Sequence, residues 1–151
     1  MRKIKNKNID SLLMQLKFIP QNKRKEQLKG AEELYNILDE EKGYPFDFIC
    51  YKITGLHLKS PVDQPPIRGS DLAEDLKLFI LKLSGQVAQH VNELDEQVYT
   101  IQTLAKDFNV SEKTISRWRN RNLLAKKYIF ENGKKRIGFS QTAVDKFMES
   151  N

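Results

Sequence analysis

The stretch VSEKTISRWRNRN, residues 110–122, sets four cationic side chains, Lys113, Arg117, Arg119 and Arg121, around two apolar residues, Ile115 and Trp118. Ammonium and guanidinium groups at this density pair with anions, and a guanidinium does so through parallel N–H donors in a fixed fork. Ile115 and Trp118 are three residues apart, which on a helix puts them on one face and leaves the charges on another. The charge is also confined along the chain. Residues 99–151 hold eleven lysines and arginines against five acids, while residues 1–98 hold fifteen of each, so the whole net charge of +6 belongs to the last third. This asymmetry predicts a neutral module joined to one with an anionic partner.

Other chemistries lack their residues. His57 and His90 are far apart, and Cys50 sits on an apolar stripe, where a buried inert thiol is the default. The acidic runs DEE (39–41) and ELDE (93–96) fall at a helix end and in a polar stretch and read as solvated surface. No glycine-rich phosphate loop and no zinc-ligand spacing occurs. The expectation is therefore a binding protein with no catalytic residues, no metal and no cofactor. A single cysteine precludes an internal disulfide and points to a reducing cytoplasm. The apolar run LFILKL (78–83) carries a lysine and falls far short of the roughly 18 residues of a membrane span. The N-terminus MRKIKNKNIDSLLMQLKF is basic, but Gln15 and Lys17 break its apolar part and no small-residue cleavage site follows, so it reads as neither signal peptide nor anchor.

The first two thirds of the chain read as helical. IDSLLMQLKF aligns Ile9, Leu12, Leu13 and Leu16, with Asp10 or Ser11 as cap and Pro20 as terminator. NKRKEQLKGAEELYNILDEEKG aligns Leu28, Ala31, Leu34, Tyr35 and Leu38, with Gly43 as the expected stop. YPFDFICYKITG opens at Pro45 as first helical residue, buries Phe46, Ile49, Cys50 and Ile53, and closes at Gly55. Three prolines and a glycine make LKSPVDQPPIRG (58–69) an extended connector. A further helix, SDLAEDLKLFILKLSGQVAQ, takes Ser70 as cap and Leu72, Leu76, Phe79, Ile80, Leu83 and Val87 as its stripe. The expected organisation is a basic tail over 1–8, a helical module over 9–89, a linker over 90–97 and a separate domain over 98–151.

That last domain must position the cations. TIQTLAKDFNV predicts a short helix capped by Thr100, with Ile101, Leu104, Ala105 and Phe108 inward. SEKTISRWRNRN predicts a second, capped by Ser111, with Ile115 and Trp118 inward. Neither cap has Glu or Gln at the third helical position, so a capping box is not expected. Ala105 is small enough for the two helices to cross closely, and Asn109 stands where the turn calls for a left-handed residue. KKYIFENGKKRIGF (126–139) then reads as a β-hairpin around Asn132-Gly133 with a type I′ turn. Its expected pairs are Tyr128 with Ile137, Phe130 with Lys135, Ile129 with Arg136 and Glu131 with Lys134. One face would be apolar (Tyr128, Phe130, Ile137, Phe139) and the other basic. SQTAVDKFM closes the domain as a helix capped by Ser140, with Val144, Phe147 and Met148 inward.

In this order and spacing, residues 98–151 resemble the winged helix-turn-helix of excisionases and MerR-like regulators. The resemblance implies a mainly α fold: an N-terminal helical module followed by a small winged helix-turn-helix with one β-hairpin. It implies duplex DNA as partner, with Lys113, Ser116, Arg117 and Asn120 at base edges, Arg117 suited to guanine and Asn120 to adenine. Arg119, Arg121, Lys127, Lys134, Lys135 and Arg136 are the corresponding phosphate contacts. The order YPFDFICYKITG, connector, DLAEDLKLFILKLS and winged motif is further similar to the N-terminal region of some bacterial RNA polymerase sigma factors. That similarity implies a role in transcription and RNA polymerase or another protein as partner of the N-terminal module. The 151 residues contain no counterpart of that family's segments for holding core polymerase or melting the promoter. The alternatives are a recombination accessory of the excisionase kind and a winged-fold protein adaptor without DNA binding.

Overall fold

The computed structural model describes residues 3–60, 62–87 and 89–150, which are mainly helical with small antiparallel sheets. Contacts divide the chain into two compact units, Met1–Val87 and Ala88–Asn151.

The first unit comprises α1 (Lys7–Gln15), a 3-10 turn (Leu16–Phe18), α2 (Gln21–Ile37), β1 (Gly43–Tyr44), α3 (Phe46–Thr54), β2 (Ile67–Arg68) and α4 (Gly69–Val87). Its core is the expected set of stripes: Ile9, Leu34, Ile49, Leu72, Leu76, Phe79, Ile80 and Leu83 are all fully or almost fully buried. α2 packs against both α3 and α4. The approach to α3 is close because Gly30 has no side chain. A Cβ there would lie 2.5 Å from the Lys52 carbonyl oxygen and 2.8 Å from that of Ile53.

Several boundaries differ from expectation, each for a local hydrogen-bonding reason. α1 begins at Lys7 because the Asn6 side chain accepts from the Asn8 and Ile9 N–H groups, displacing Asp10 and Ser11 as caps. Residues 3–8 are not a tail: Ile4 is buried, and the Lys5 and Asn6 N–H groups donate at 2.8 and 3.0 Å to the carboxylate of Asp75, itself buried on α4. α2 ends at Leu38, in extended backbone, so Gly43 is no helix stop; it opens β1, which pairs with β2 inside the expected connector. Pro45 caps α3 from outside, and Gly55 ends it at φ 79°, as expected of a glycine at that position. α4 starts at Gly69, not after Ser70. Its first donors go to the Lys42 and Glu40 carbonyls at 2.7 and 3.0 Å, so no serine cap is needed.

The second unit comprises β3 (Val98–Tyr99), α5 (Ile101–Asp107), α6 (Glu112–Arg121), β4 (Lys126–Ile129), β5 (Lys135–Ser140) and α7 (Gln141–Glu149), with strand order β3-β5-β4. The expected linker is part of this unit. His90 bridges Ile129, whose N–H donates to Gln89 O at 2.8 Å, and Thr142 donates its N–H and hydroxyl to Glu96 at 2.7 and 2.8 Å.

The hairpin register is one residue off the expected one. Lys127 pairs with Ile137, Tyr128 with Arg136 and Ile129 with Lys135. The loop has three residues rather than two: Gly133 N–H donates to Phe130 O at 2.8 Å, Gly133 takes φ 80°, and Phe130 N–H closes on Lys134 O at 3.0 Å. This is a type I turn followed by a left-handed glycine, and Asn132 has no positive φ as a type I′ turn requires. Because paired residues share a face, the slip dissolves the division into one apolar and one basic face. Tyr128 shares a face with Arg136, and Ile137 with Lys127. Tyr128 and Phe139 are both almost fully buried, from opposite faces.

Candidate nucleic-acid interface

Helix α6 is fixed from beneath. Leu104, Ala105 and Ile115 are buried where α5 meets α6. The turn between them is a Schellman closure: Val110 N–H donates to Ala105 O at 2.9 Å and Asn109 N–H to Lys106 O at 3.2 Å. Asn109, at φ 54°, is the only non-glycine positive-φ residue among the described ones, as its place in the turn predicts. The Ser111 hydroxyl accepts from Thr114 N–H at 3.1 Å and caps α6. α5 does carry a capping box, contrary to expectation, because a threonine serves in place of Glu or Gln. Thr100 accepts from Thr103 N–H at 3.1 Å, and Thr103 Oγ1 accepts from Thr100 N–H at 2.8 Å.

Two residues expected inward sit elsewhere. Phe108 is 37% exposed and Trp118 is half-buried, meeting edge to face at 5.8 Å between centroids. Trp118 also lies 5.2 Å from the Phe147 ring of α7, so it packs in a ladder of aromatics at the border of the core. The displacement of Phe108 accompanies the end of its helix. α5 ends at Asp107, and Phe108, as its C-cap, leaves the helical stripe.

With Ile115 inward, α6 exposes Glu112, Lys113, Ser116, Arg117, Asn120 and Arg121. Spacing of four residues arranges them in two rows, Lys113–Arg117–Arg121 and Glu112–Ser116–Asn120. All four residues expected at base edges, Lys113, Ser116, Arg117 and Asn120, are thus on one solvent face. The expected phosphate contacts divide. Arg121 is exposed, its guanidinium 5.9 Å from the Phe147 ring centre. Arg119 is half-buried on the Ile115 side, one turn beyond that residue, and does not share the exposed face. Lys134, Lys135 and Arg136 are exposed at the end of the hairpin, while Lys127 is half-buried next to Ile137.

Arg136 has a defined partner: its Nη2 donates to Gln102 Oε1 at 2.9 Å. That bond ties β5 to the first turn of α5, and nothing in the sequence singled out Gln102. Lys126, also passed over, places its ammonium 5.4 Å from the centre of the Tyr128 ring. The segment Leu123–Ala125 is buried between α6 and β4 without any periodicity to announce it, Leu123 N–H closing on Trp118 O at 3.0 Å. Among the described residues no group of three or more His, Cys, Asp or Glu side chains is arranged to hold a metal ion, and no helix is long and apolar enough to cross a membrane.

Compared with family models, curated proteins and solved structures, the chain matches none of them.

Proposed function

We propose that the second unit is a winged helix-turn-helix domain that binds duplex DNA, with α6 in the major groove and the β4–β5 hairpin against the backbone. The observation that carries this reading is the outer face of α6. Two parallel rows combine three cations with Ser116 and Asn120 on a helix whose opposite side is pinned by Leu104, Ala105 and Ile115. A helix held this firmly presents its side chains in fixed register, and its width suits the major groove.

Phosphate neutralisation by Arg121, Lys134, Lys135 and Arg136 supplies most of the affinity through release of counterions. Arg117 donates both N–H arms to guanine O6 and N7, and Asn120 pairs with adenine N6 and N7. Ser116 lies beside Arg117 and one turn before Asn120, and Lys113 reaches the groove edge from the first turn. Glu112, at the start of the row, can accept from a cytosine amino group. Gln102 holds the Arg136 guanidinium in place, so that this phosphate contact is preformed. The chain as a whole acts in transcription, with the first unit contacting a protein partner, RNA polymerase in the reading that the sigma-factor resemblance implies.

Arg117→Ala tests the base-reading part. It is expected to cost about 1–3 kcal/mol on the preferred site and to relax specificity at that position, measured by fluorescence anisotropy on a set of single-base variants. An equal loss on every sequence would reassign Arg117 to phosphate. Lys134→Ala should weaken all sequences alike and lower the salt slope by about one; unaltered binding would remove the hairpin from the interface.

A further inference from the structure

Of the large apolar side chains that the first unit exposes, two stand out. Phe18 is 90% exposed and Leu56 is 70% exposed. Both stand on ordered turns. Arg24 donates from Nε to Ile19 O at 3.0 Å and from Nη2 to Lys17 O at 2.7 Å, clamping the chain on either side of Phe18. Leu56 N–H donates to Thr54 Oγ1 at 3.1 Å, the same hydroxyl lies 3.3 Å from Leu56 O, and Gly55 turns the chain before it at φ 79°. His57, the next residue, stacks on Tyr51 at 4.5 Å and bonds Asp47 at 3.2 Å.

Phe18 and Leu56 both line a groove of about 970 Å³ with Leu12, Leu16, Cys50 and Ile53 among its walls. Large apolar groups exposed on turns with a hydrogen-bonded backbone, beside an apolar groove, mark a contact surface, since the turns need little reordering on binding. The rim sets the charge of what fits. Lys23, Lys29, Lys52 and Lys59 surround the groove against Glu26 and Glu33, and among the described residues none of those four lysines is paired with a carboxylate. The lining residues belong to helices and turns, with no strand edge to extend, so an occupant must satisfy its own backbone. A second copy of the chain is the wrong sign, because each copy carries a net charge of +6.

We propose that this groove binds an acidic amphipathic helix of a partner protein. Apolar side chains spaced i, i+3, i+4 and i+7 enter between Phe18 and Leu56, and carboxylates face the lysine rim. The proposal concerns the first unit alone and stands or falls independently of DNA binding by the second.

The test uses the full chain and a fluorescein-labelled helical peptide of about 15 residues, with leucine at those positions and glutamate on the remaining face. A matched peptide carries lysine for glutamate. Anisotropy should show binding of the glutamate peptide only, weakened by salt and reduced at least about tenfold by Phe18→Ser and by Leu56→Ser. Because both serine substitutions leave the basic second unit intact, loss of binding in them separates the groove from attraction to that unit. Both serine substitutions fall on exposed positions, and circular dichroism checks that the variants stay folded. Equal binding of the two peptides, or no loss in either serine variant, would overturn the proposal. So would self-association of the chain that Phe18→Ser abolishes, since the groove would then hold a second copy.

Discussion

Asn109 sits at φ 54°, where an ordinary L-residue pays roughly 1–2 kcal/mol and asparagine or glycine much less. Trp118, the single tryptophan, lies in the same unit and reports on its unfolding. Asn109→Ala is therefore expected to lower the stability of the second unit by about 1 kcal/mol in urea, followed by Trp118 fluorescence, with Asn109→Gly neutral or stabilising. If glycine destabilised as much as alanine, the side chain and not the backbone conformation would be the reason for asparagine. This residue was readable in the sequence because its backbone requirement is local. Phe108, one position earlier, was not: the apolar spacing that placed it inward continues past the point where the helix itself ends. Asp75 is a third kind of residue. Its partners, Lys5 and Asn6, are some seventy positions away in sequence, and no pattern near residue 75 announces them.

Among the elements, helices with wide apolar stripes were legible almost throughout, because burial of one face at a 3.6-residue period leaves a direct trace. The paired strands β1 and β2, two residues each, leave none, and the prolines around residues 61–66 suggested only a connector. The hairpin shows a finer limit. Asn132-Gly133 suits a two-residue I′ loop and also a three-residue loop ending in a left-handed glycine, and the dipeptide alone does not choose the register. The close approach of α2 and α3 rests on Gly30. Gly30→Ala should force the helices apart and destabilise the first unit by about 1–3 kcal/mol. Helix loss in urea read by circular dichroism should move to lower denaturant while the Trp118 transition stays in place. An unshifted helical transition would show that α3 yields to the extra methyl group without cost.

For the molecule as a whole, the two units differ in fold and in how their charge is distributed. The boundary places Glu93, Asp95 and Glu96 in the second unit, so each unit carries a net charge of +3; the cations of the second are concentrated in residues 99–151, and four lysines of the first line one groove. The proposed division of labour gives DNA to the second unit and a protein partner to the first. The sequence conveyed the concentration of cations in residues 99–151, since it is a matter of counting, but not where the unit boundary falls. It did not convey the groove, which depends on turns that bring residues 18 and 56 to one surface. The most direct test of DNA binding is a titration of the full chain against random-sequence duplex, from low to physiological salt, followed by selection of preferred sites from the bound pool. A steep linear fall of log affinity with log salt, together with an enriched motif of a few base pairs that Arg117→Ala erases, is the predicted result. Absence of binding at low salt would contradict the DNA-binding assignment outright.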